Sequence, residues 1–400
     1  MRNSNQGHLG ELAKLFLKLG AIGFGGPAAH IAMMEDEVVE KRQWLTREHF
    51  LDLIGATNLI PGPNSTEMAI HVGYLYGGLP GLMVSGVCFV LPAVAITAIL
   101  AWVYVSFGSL PQVAPLLYGI KPAVLAIILG ALWRLGKKAV KNWKLLSIAL
   151  GVAISLFLGL NQVVALLLGG LLGMIWLRLA GGDNHQNTAM AVADAGLTSS
   201  AAGLTSSVAL GDITAISVAA RTTTQVPLWQ LGLFFLKVGS VLFGSGYVLV
   251  AFLENGLVRD YGWLTQQQQL DAIAIGQFTP GPVLSTSTFI GYLIAGLPGA
   301  AVATMGIFLP SFFFVAALNP LIPRLRASKW TSAFLDAVNA GAVALMAVVT
   351  IQLARGTLID IATILIAIAA AIGAIRFQVN AAWLVLGGAV LGFLVSISNL

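Results

Sequence analysis

Apolar residues in this chain come in long unbroken blocks. Leu79 to Val105, Leu116 to Leu135, Leu145 to Leu179, Leu297 to Leu318 and Thr357 to Ile397 meet or exceed the roughly 20 residues that carry an α-helix across a hydrocarbon core. The two longest blocks are expected to hold helix pairs. The 45 glycines and 15 prolines exceed what regular spans need, and in such segments they mark close helix packing or broken helices. The pattern predicts an all-α polytopic membrane protein with interrupted helices.

The blocks belong to a repeat. Leu17-Lys18-Leu19-Gly20 returns as Leu236-Lys237-Val238-Gly239, Phe24-Gly25 as Phe243-Gly244, and Trp44-Leu45-Thr46 as Trp263-Leu264-Thr265. At the same spacing Leu51-Asp52 meets Leu270-Asp271, and Pro61-Gly62-Pro63 meets Pro280-Gly281-Pro282. One residue is then lost, after which Gly78-Leu79-Pro80-Gly81 meets Gly296-Leu297-Pro298-Gly299 and Leu91-Pro92 meets Leu309-Pro310. Such an ordered series defines two homologous halves, residues 9–180 and 227–400. Residues 181–226 between them, rich in Ala, Gly, Ser and Thr, read as a linker.

Loop charges orient the halves. Lys and Arg collect on the cytoplasmic side of short loops. The first half has an uncharged loop at Ser106–Gln112 and then a basic one with Arg134, Lys137, Lys138, Lys141 and Lys144. In the second half Arg324, Arg326 and Lys329 crowd the first equivalent loop, and Arg355, balanced by Asp360, is left for the second. Arg178 and Arg376 fit the same exchange. Swapped charges predict repeats inverted about an axis in the membrane plane, an arrangement suited to alternating access.

Composition sharpens this reading. With 58% hydrophobic and 9% charged residues and a mean hydropathy of +0.88, the chain is too apolar for a soluble globular fold. No solvated basic and aromatic domain is present for nucleic acid, so none is expected as a partner. Lone Cys88 gives no disulfide or cysteine-based metal site. His-Glu-x-x-His is absent, as is a Gly-rich phosphate loop ending in Lys and Ser or Thr, so neither an enzyme, a metal site nor a cofactor is expected. The first ten residues lack a signal-peptide pattern, and the first apolar segment is expected to be retained.

The candidate chemistry gathers at the interruptions. Gly25-Gly26-Pro27 and Gly244-Ser245-Gly246 cannot continue a regular helix cheaply. Pro61, Gly62 and Pro63, and likewise Pro280, Gly281 and Pro282, break the amide ladder, and Asn64-Ser65-Thr66-Glu67 and Ser285-Thr286-Ser287-Thr288 then start further short helices. A helix N-terminus offers free amides and about half a positive charge, an anion site without the desolvation of a bare arginine. Asn64 with Glu67 also fits a capping role. The neutral second cluster, Ser285 and Thr286, promises the better oxyanion cradle, because a carboxylate competes with an anion. Lys18 and Lys237, matched inside apolar stretches, either bring charge to a central dianion or snorkel to the headgroups. Glu67, His30, Glu35 and Glu254 are candidates for proton coupling, against the plainer reading that the histidine packs and the last two carboxylates cap or pair with Lys41, Arg42 or Arg47.

Phe24-Gly25-Gly26-Pro27 with Ala29-His30-Ile31, the Trp44-Leu45-Thr46 step, both Pro-Gly-Pro motifs and the duplicated layout resemble the long-chain chromate ion transporter family. The likeness covers both halves and leaves out the linker. It implies an inner-membrane protein with two antiparallel domains that exports chromate and confers resistance to it. Sulfate, of the same shape and charge, follows as a competitor or alternative cargo; the bilayer is the surrounding partner, and a homodimer stays open. In the second half Ser245-Gly246 stands where the first has Gly26-Pro27, which departs from the fuller pattern.

Overall fold

The computed structural model describes residues 3–24, 26–108, 114–179, 226–243, 246–319 and 328–398. Gly25, Gly244, Ser245, Arg324, Arg326 and the linker apart from Val226 lie outside them.

The described residues form α-helices, short 3-10 turns and two π-helical turns. The first half comprises α1 (Asn3–Ile22), α2 (Pro27–Glu35), α3 (Arg47–Thr57), α4 (Asn64–Phe107), α5 (Ala114–Ala139), α6 (Trp143–Phe157) and α7 (Gln162–Leu179). The second repeats that order in α8 (Leu228–Val241), α9 (Leu249–Leu253), α10 (Gln266–Phe278), α11 (Thr286–Leu318), α12 (Lys329–Thr357), α13 (Ile361–Ile375) and α14 (Ala381–Ser398). The π-helical turns follow α2 at Asp36–Lys41 and α9 at Glu254–Asp260.

Five helices, α4, α5, α7, α11 and α12, are long and apolar enough to cross a membrane, and α6, α8, α13 and α14 are shorter apolar helices. The long α4 and α11 are each kinked at equivalent glycines, Gly78 and Gly296, whose backbones leave the helical region. Each is thus a short helix after a break and then a longer one, the division expected of these stretches.

Local signals hold each element in place. Thr265 and Gln268 form the full capping box at α10, while Thr46 accepts the His49 amide alone at α3. Asn142 and Asp360, at corresponding places before α6 and α13, accept the Leu145 and Thr363 amides at 2.9 and 2.8 Å. Helix crossings repeat too: Gly20 of α1 lies against the Phe89 carbonyl, and Gly239 of α8 against the Ile307 carbonyl.

The halves pack reciprocally. α5 meets α13 and α14 as α12 meets α6 and α7, and α4 and α5 each pack on their own counterparts. α4 runs antiparallel to α11. Its start faces the far part of α11, with Gly62 beside Ser311, and its end meets the beginning of α11, with the Tyr104 and Phe289 rings 5.3 Å apart. A two-fold that exchanges antiparallel helices crosses their axes, so the repeats are inverted. Lys141 reaches Asp336 at 3.2 Å and Arg178 stacks over Trp330 at 5.5 Å, which brings the α5–α6 turn, the end of α7 and the start of α12 to one face. Arg355 lies 19 residues beyond Asp336 along α12, about 28 Å at 1.5 Å per residue, on the opposite face.

Candidate functional site

The two Pro-Gly-Pro breaks are tied crosswise to the other half. Gly62 donates its amide hydrogen to the Leu242 carbonyl at 2.8 Å, and Gly281 donates to the Gly23 carbonyl at 2.7 Å. These are corresponding residues, so the same bond is made twice about the pseudo-two-fold. Gly62 has φ of 145° and Gly281 of 91°, a region L side chains avoid. His30, on the first turns of α2, donates from Nε2 to the same Gly23 carbonyl at 2.9 Å and is buried. That contact makes it a brace for the break.

The helix starts differ from one another. α4 has Pro63 at its N-cap and no side-chain cap, so the expected Asn64–Glu67 capping pair is not formed. Asn64 instead donates to Asn58 Oδ1 at 2.9 Å. Ser65, Thr66 and Glu67 are all buried in the first turn of α4, and both Glu67 oxygens lack a hydrogen bond of sound geometry. In the second half a 3-10 turn, Val283–Ser285, precedes α11. Thr286 and Ser287 donate to the carbonyls of Val283 and Leu284, each at 2.8 Å. Two of the expected cradle hydroxyls are therefore spent on their own backbone, and buried Ser285 is the one left without a partner.

The breaks also differ in access. A cavity of about 600 Å³ opens beside the first, lined by Asn58, Ile60 and Asn64, by Lys137, Lys138 and Lys141, and by Asp336 and Asn339. Lys141 is engaged by Asp336 and Lys137 stands over the Trp133 ring at 4.7 Å. Lys138 has no carboxylate partner among the described residues. At the second break α10 packs against α4, α5, α11 and α14. There Tyr247 donates to Gln277 at 3.3 Å, Tyr104 donates to Asp271 at 2.7 Å, and Lys121 stands near that carboxylate. Asp271 is buried whereas its counterpart Asp52 is exposed. On this difference in packing we call the first repeat's side open and the second's closed.

Lys18 and Lys237 do not meet between the breaks. Lys18 donates to Glu37 at 2.8 Å, within a group that includes Asp36, Lys41 and Arg42. The Lys18 hydrogen bond holds the Glu37 carboxyl below the usual carboxylate range. The residue corresponding to Glu37 in the second half is Gly256, so Lys237 lacks that partner and lines a separate cavity with Trp229, Gln162, Asp260 and Tyr261. Glu35 pairs with Arg47, one of the partners considered for it, and Glu254 with Arg259, which is not among them, each at 3.4 Å. Sequence reasoning missed Tyr104, Lys121, Tyr247, Gln277 and Ser311. Ser311 had a signal, since it follows Pro310 where the first half has Ala93 after Pro92.

No solved structure matches the chain. The profile of the family described as Chromate transporter matches residues 10–174 and again 229–393. Over 96% of its length the chain is 34% identical to a chromate transport protein of Cupriavidus metallidurans, covering 92% of that protein. It is 34% identical to a probable chromate transport protein of Synechococcus elongatus over 91% of the chain and 89% of the relative. To a chromate transport protein of Pseudomonas aeruginosa it is 32% identical over 87% and 81%. A profile found twice, once in each structural repeat, and relatives aligned across nearly the whole length make this chain a multi-pass membrane protein of the chromate transporter family.

Proposed function

We propose that this protein carries chromate out of the cell by alternating access, driven by the membrane potential, and so confers chromate resistance. The observation that carries the proposal is the basic cavity beside the Pro61-Gly62-Pro63 break, where Lys137, Lys138 and Lys141 meet Asn58, Asn64 and Asn339. Lysines concentrate a dianion at the mouth by long-range attraction. Beyond them, amides at the start of α4 and neutral polar side chains replace its hydration without a fixed buried cation to trap it. The mouth lies on the face that gathers Lys138, Lys141 and Arg178, which the positive-inside tendency makes cytoplasmic.

In this reading, closing the first repeat's side while opening the second exchanges the roles of two equivalent halves and delivers the anion to the other face. With the interior negative, export of two charges is downhill by about 4.6 kcal/mol per 100 mV. The binding residues are Gly26, Pro61, Gly62, Pro63, Asn64 and Ser65 in the open repeat, and Pro280, Gly281, Pro282 and Ser285 in the closed one.

The test is counterflow of labelled chromate in proteoliposomes, with sulfate as competitor and an imposed potential. Chromate counterflow that accelerates with a potential negative on the basic-cavity side supports export. Counterflow of sulfate with chromate excluded would make sulfate the cargo.

A further inference from the structure

The two breaks share a geometry and differ in chemistry. At the first, Gly62 faces Glu67 and the Ser311 hydroxyl; at the second, Gly281 faces Ala93 and the Gly20 carbonyl. One turn beyond Glu67 stands His71, on the same face of α4. Aligned through the Gly73–Gly291 match, Glu67 corresponds to Ser285 and His71 to Phe289, so both ionisable groups belong to the first repeat alone.

Both are fully buried, at 0% exposure. The two Glu67 oxygens, both His71 ring nitrogens and Ser311 Oγ all lack a hydrogen bond of sound geometry. No cation forms an ion pair with Glu67 among the described residues. The elements packed on α4 offer His8, which stacks on Tyr76 of α4, with Glu11, Lys14 and Lys18 on α1, His30 and Glu35 on α2, Arg47, Glu48, His49 and Asp52 on α3, Asp271 on α10, and Tyr292 on α11. Of these, Lys18 is engaged by Glu37, His30 by Gly23, Glu35 by Arg47, and Asp271 by Tyr104. His71 lies beside Asn319 at the end of α11, which leads toward the basic face.

We propose that Glu67 and His71 form a proton-binding site of the first repeat, and that one proton is taken up at Glu67 with each anion and crosses with it. Ser311 and Asn319 are their only polar neighbours of note among the described residues, and a permanently apolar core has no use for two ionisable side chains without an ion-pair partner, since burying a charge so is heavily unfavourable. Glu67 occupies the first turn of α4, the same amide end the dianion seeks, and two negative species there repel. A proton on Glu67 removes that conflict while the anion is bound, and Glu67 takes the anion's place when it has left. Binding the proton and the anion together sends them in the same direction, so the net charge moved per chromate falls from the two of a bare dianion to one, and the contribution of the potential given above is halved. His71, in helical contact distance and next to Asn319, hands the proton on between Glu67 and the basic face.

This inference rests on the transport reading, and the experiment separates the two. The full chain is reconstituted in proteoliposomes, the potential is clamped at zero with valinomycin and equal potassium, and a pH gradient is imposed with labelled chromate on both sides. The expected result is net chromate flux in the direction of proton flow, and a reversal potential that gives one charge per anion. Glu67→Gln should abolish flux driven by the pH gradient, retain counterflow at a reduced rate and raise the charge per anion to two. His71→Phe, which installs the second repeat's residue, should slow pH-driven flux severalfold more than counterflow. Counterflow in the parent protein without any response to the pH gradient overturns the proton site and leaves transport standing. An unchanged charge per anion in Glu67→Gln also overturns it, because the anion would then carry its own proton. Absence of counterflow in the parent protein removes the transport reading itself.

Discussion

Gly281 donates its amide hydrogen to the Gly23 carbonyl at 2.7 Å, across the boundary between the two repeats. The bond is matched by the one from Gly62 to Leu242. Each Pro-Gly-Pro break therefore hangs from the glycine-rich end of the opposite half's first helix. Helix ends left open inside a bilayer need partners for their amides and carbonyls, and here the partners come from the other repeat. This exchange makes one site from two halves, and it couples a movement at one break to the other.

Gly281→Ala tests that coupling. The new methyl group would meet the Ala93 side chain at 2.8 Å and the Gly20 carbonyl at 3.2 Å, at a backbone φ of 91°. Strain of this kind costs about 1–3 kcal/mol. The variant should insert normally, unfold several degrees lower in detergent and lose most chromate counterflow. Gly151→Ala, at a helical site with nothing within 4 Å, should be neutral or slightly stabilising. Equal effects of both would show that the break geometry is irrelevant.

The closed side predicts the contacts of the other conformer. Gly356 at the end of α12 lies against Gln266 at the start of α10, a methyl there falling 2.6 Å from Oε1. Their counterparts are Lys138 and Arg47, which flank the open side. A short bifunctional thiol reagent should join cysteines at 266 and 356 readily, in a background with Cys88 replaced by Ser, and should block transport. Cysteines at 47 and 138 should be joined only when the protein is driven to the opposite state. Efficient joining of both pairs under one condition would contradict alternating closure.

The architecture was readable because the repeat was readable. Pro61-Gly62-Pro63 and its twin announced the breaks, the Thr265–Gln268 spacing announced a cap, and the exchanged loop charges announced inversion. Asymmetry was not readable from matched residues. Asp52 and Asp271 are identical in sequence, yet one is exposed and the other is buried under Tyr104, because burial here depends on which side of the molecule is shut. The Lys18–Lys237 match misled for the opposite reason: equal residues have unequal neighbours, Glu37 for one and Gly256 for the other. The capping expectation for Asn64 and Glu67 failed because Pro63 fixes the entry to α4 and Asn58 captures Asn64.

Lys138→Gln should weaken uptake from the basic face. Lys137 and Lys141 are held by Trp133 and Asp336, which leaves Lys138 the cation of the cavity free to attract an incoming anion. Attraction by exposed charge is screened over about 8 Å at physiological salt. The apparent KM for chromate should therefore rise severalfold at low ionic strength and converge on that of the parent protein at high salt, with thermal stability unchanged. A KM insensitive to both the substitution and salt would remove the cavity from the path.

Glu37→Gln should loosen the turn after α2 without touching the breaks. Glu37 is nearly buried and accepts from Lys18 at 2.8 Å, with Lys41 and Arg42 at 3.5 Å. Lys18 is half exposed, so screening limits the pair, and about 1 kcal/mol is expected from its loss. The Glu37 carboxyl is held below its ordinary range, first by the Lys18 hydrogen bond. Its contribution is thus fully present above the ordinary carboxylate range and disappears as the pH falls through the lowered value. Thermal unfolding in detergent should place Glu37→Gln and Lys18→Gln each a few degrees below the parent at neutral pH, with the double variant close to either single one. The gap to the parent should narrow in acid. Additive losses, or a gap that widens in acid, would mean that the two side chains act through other contacts.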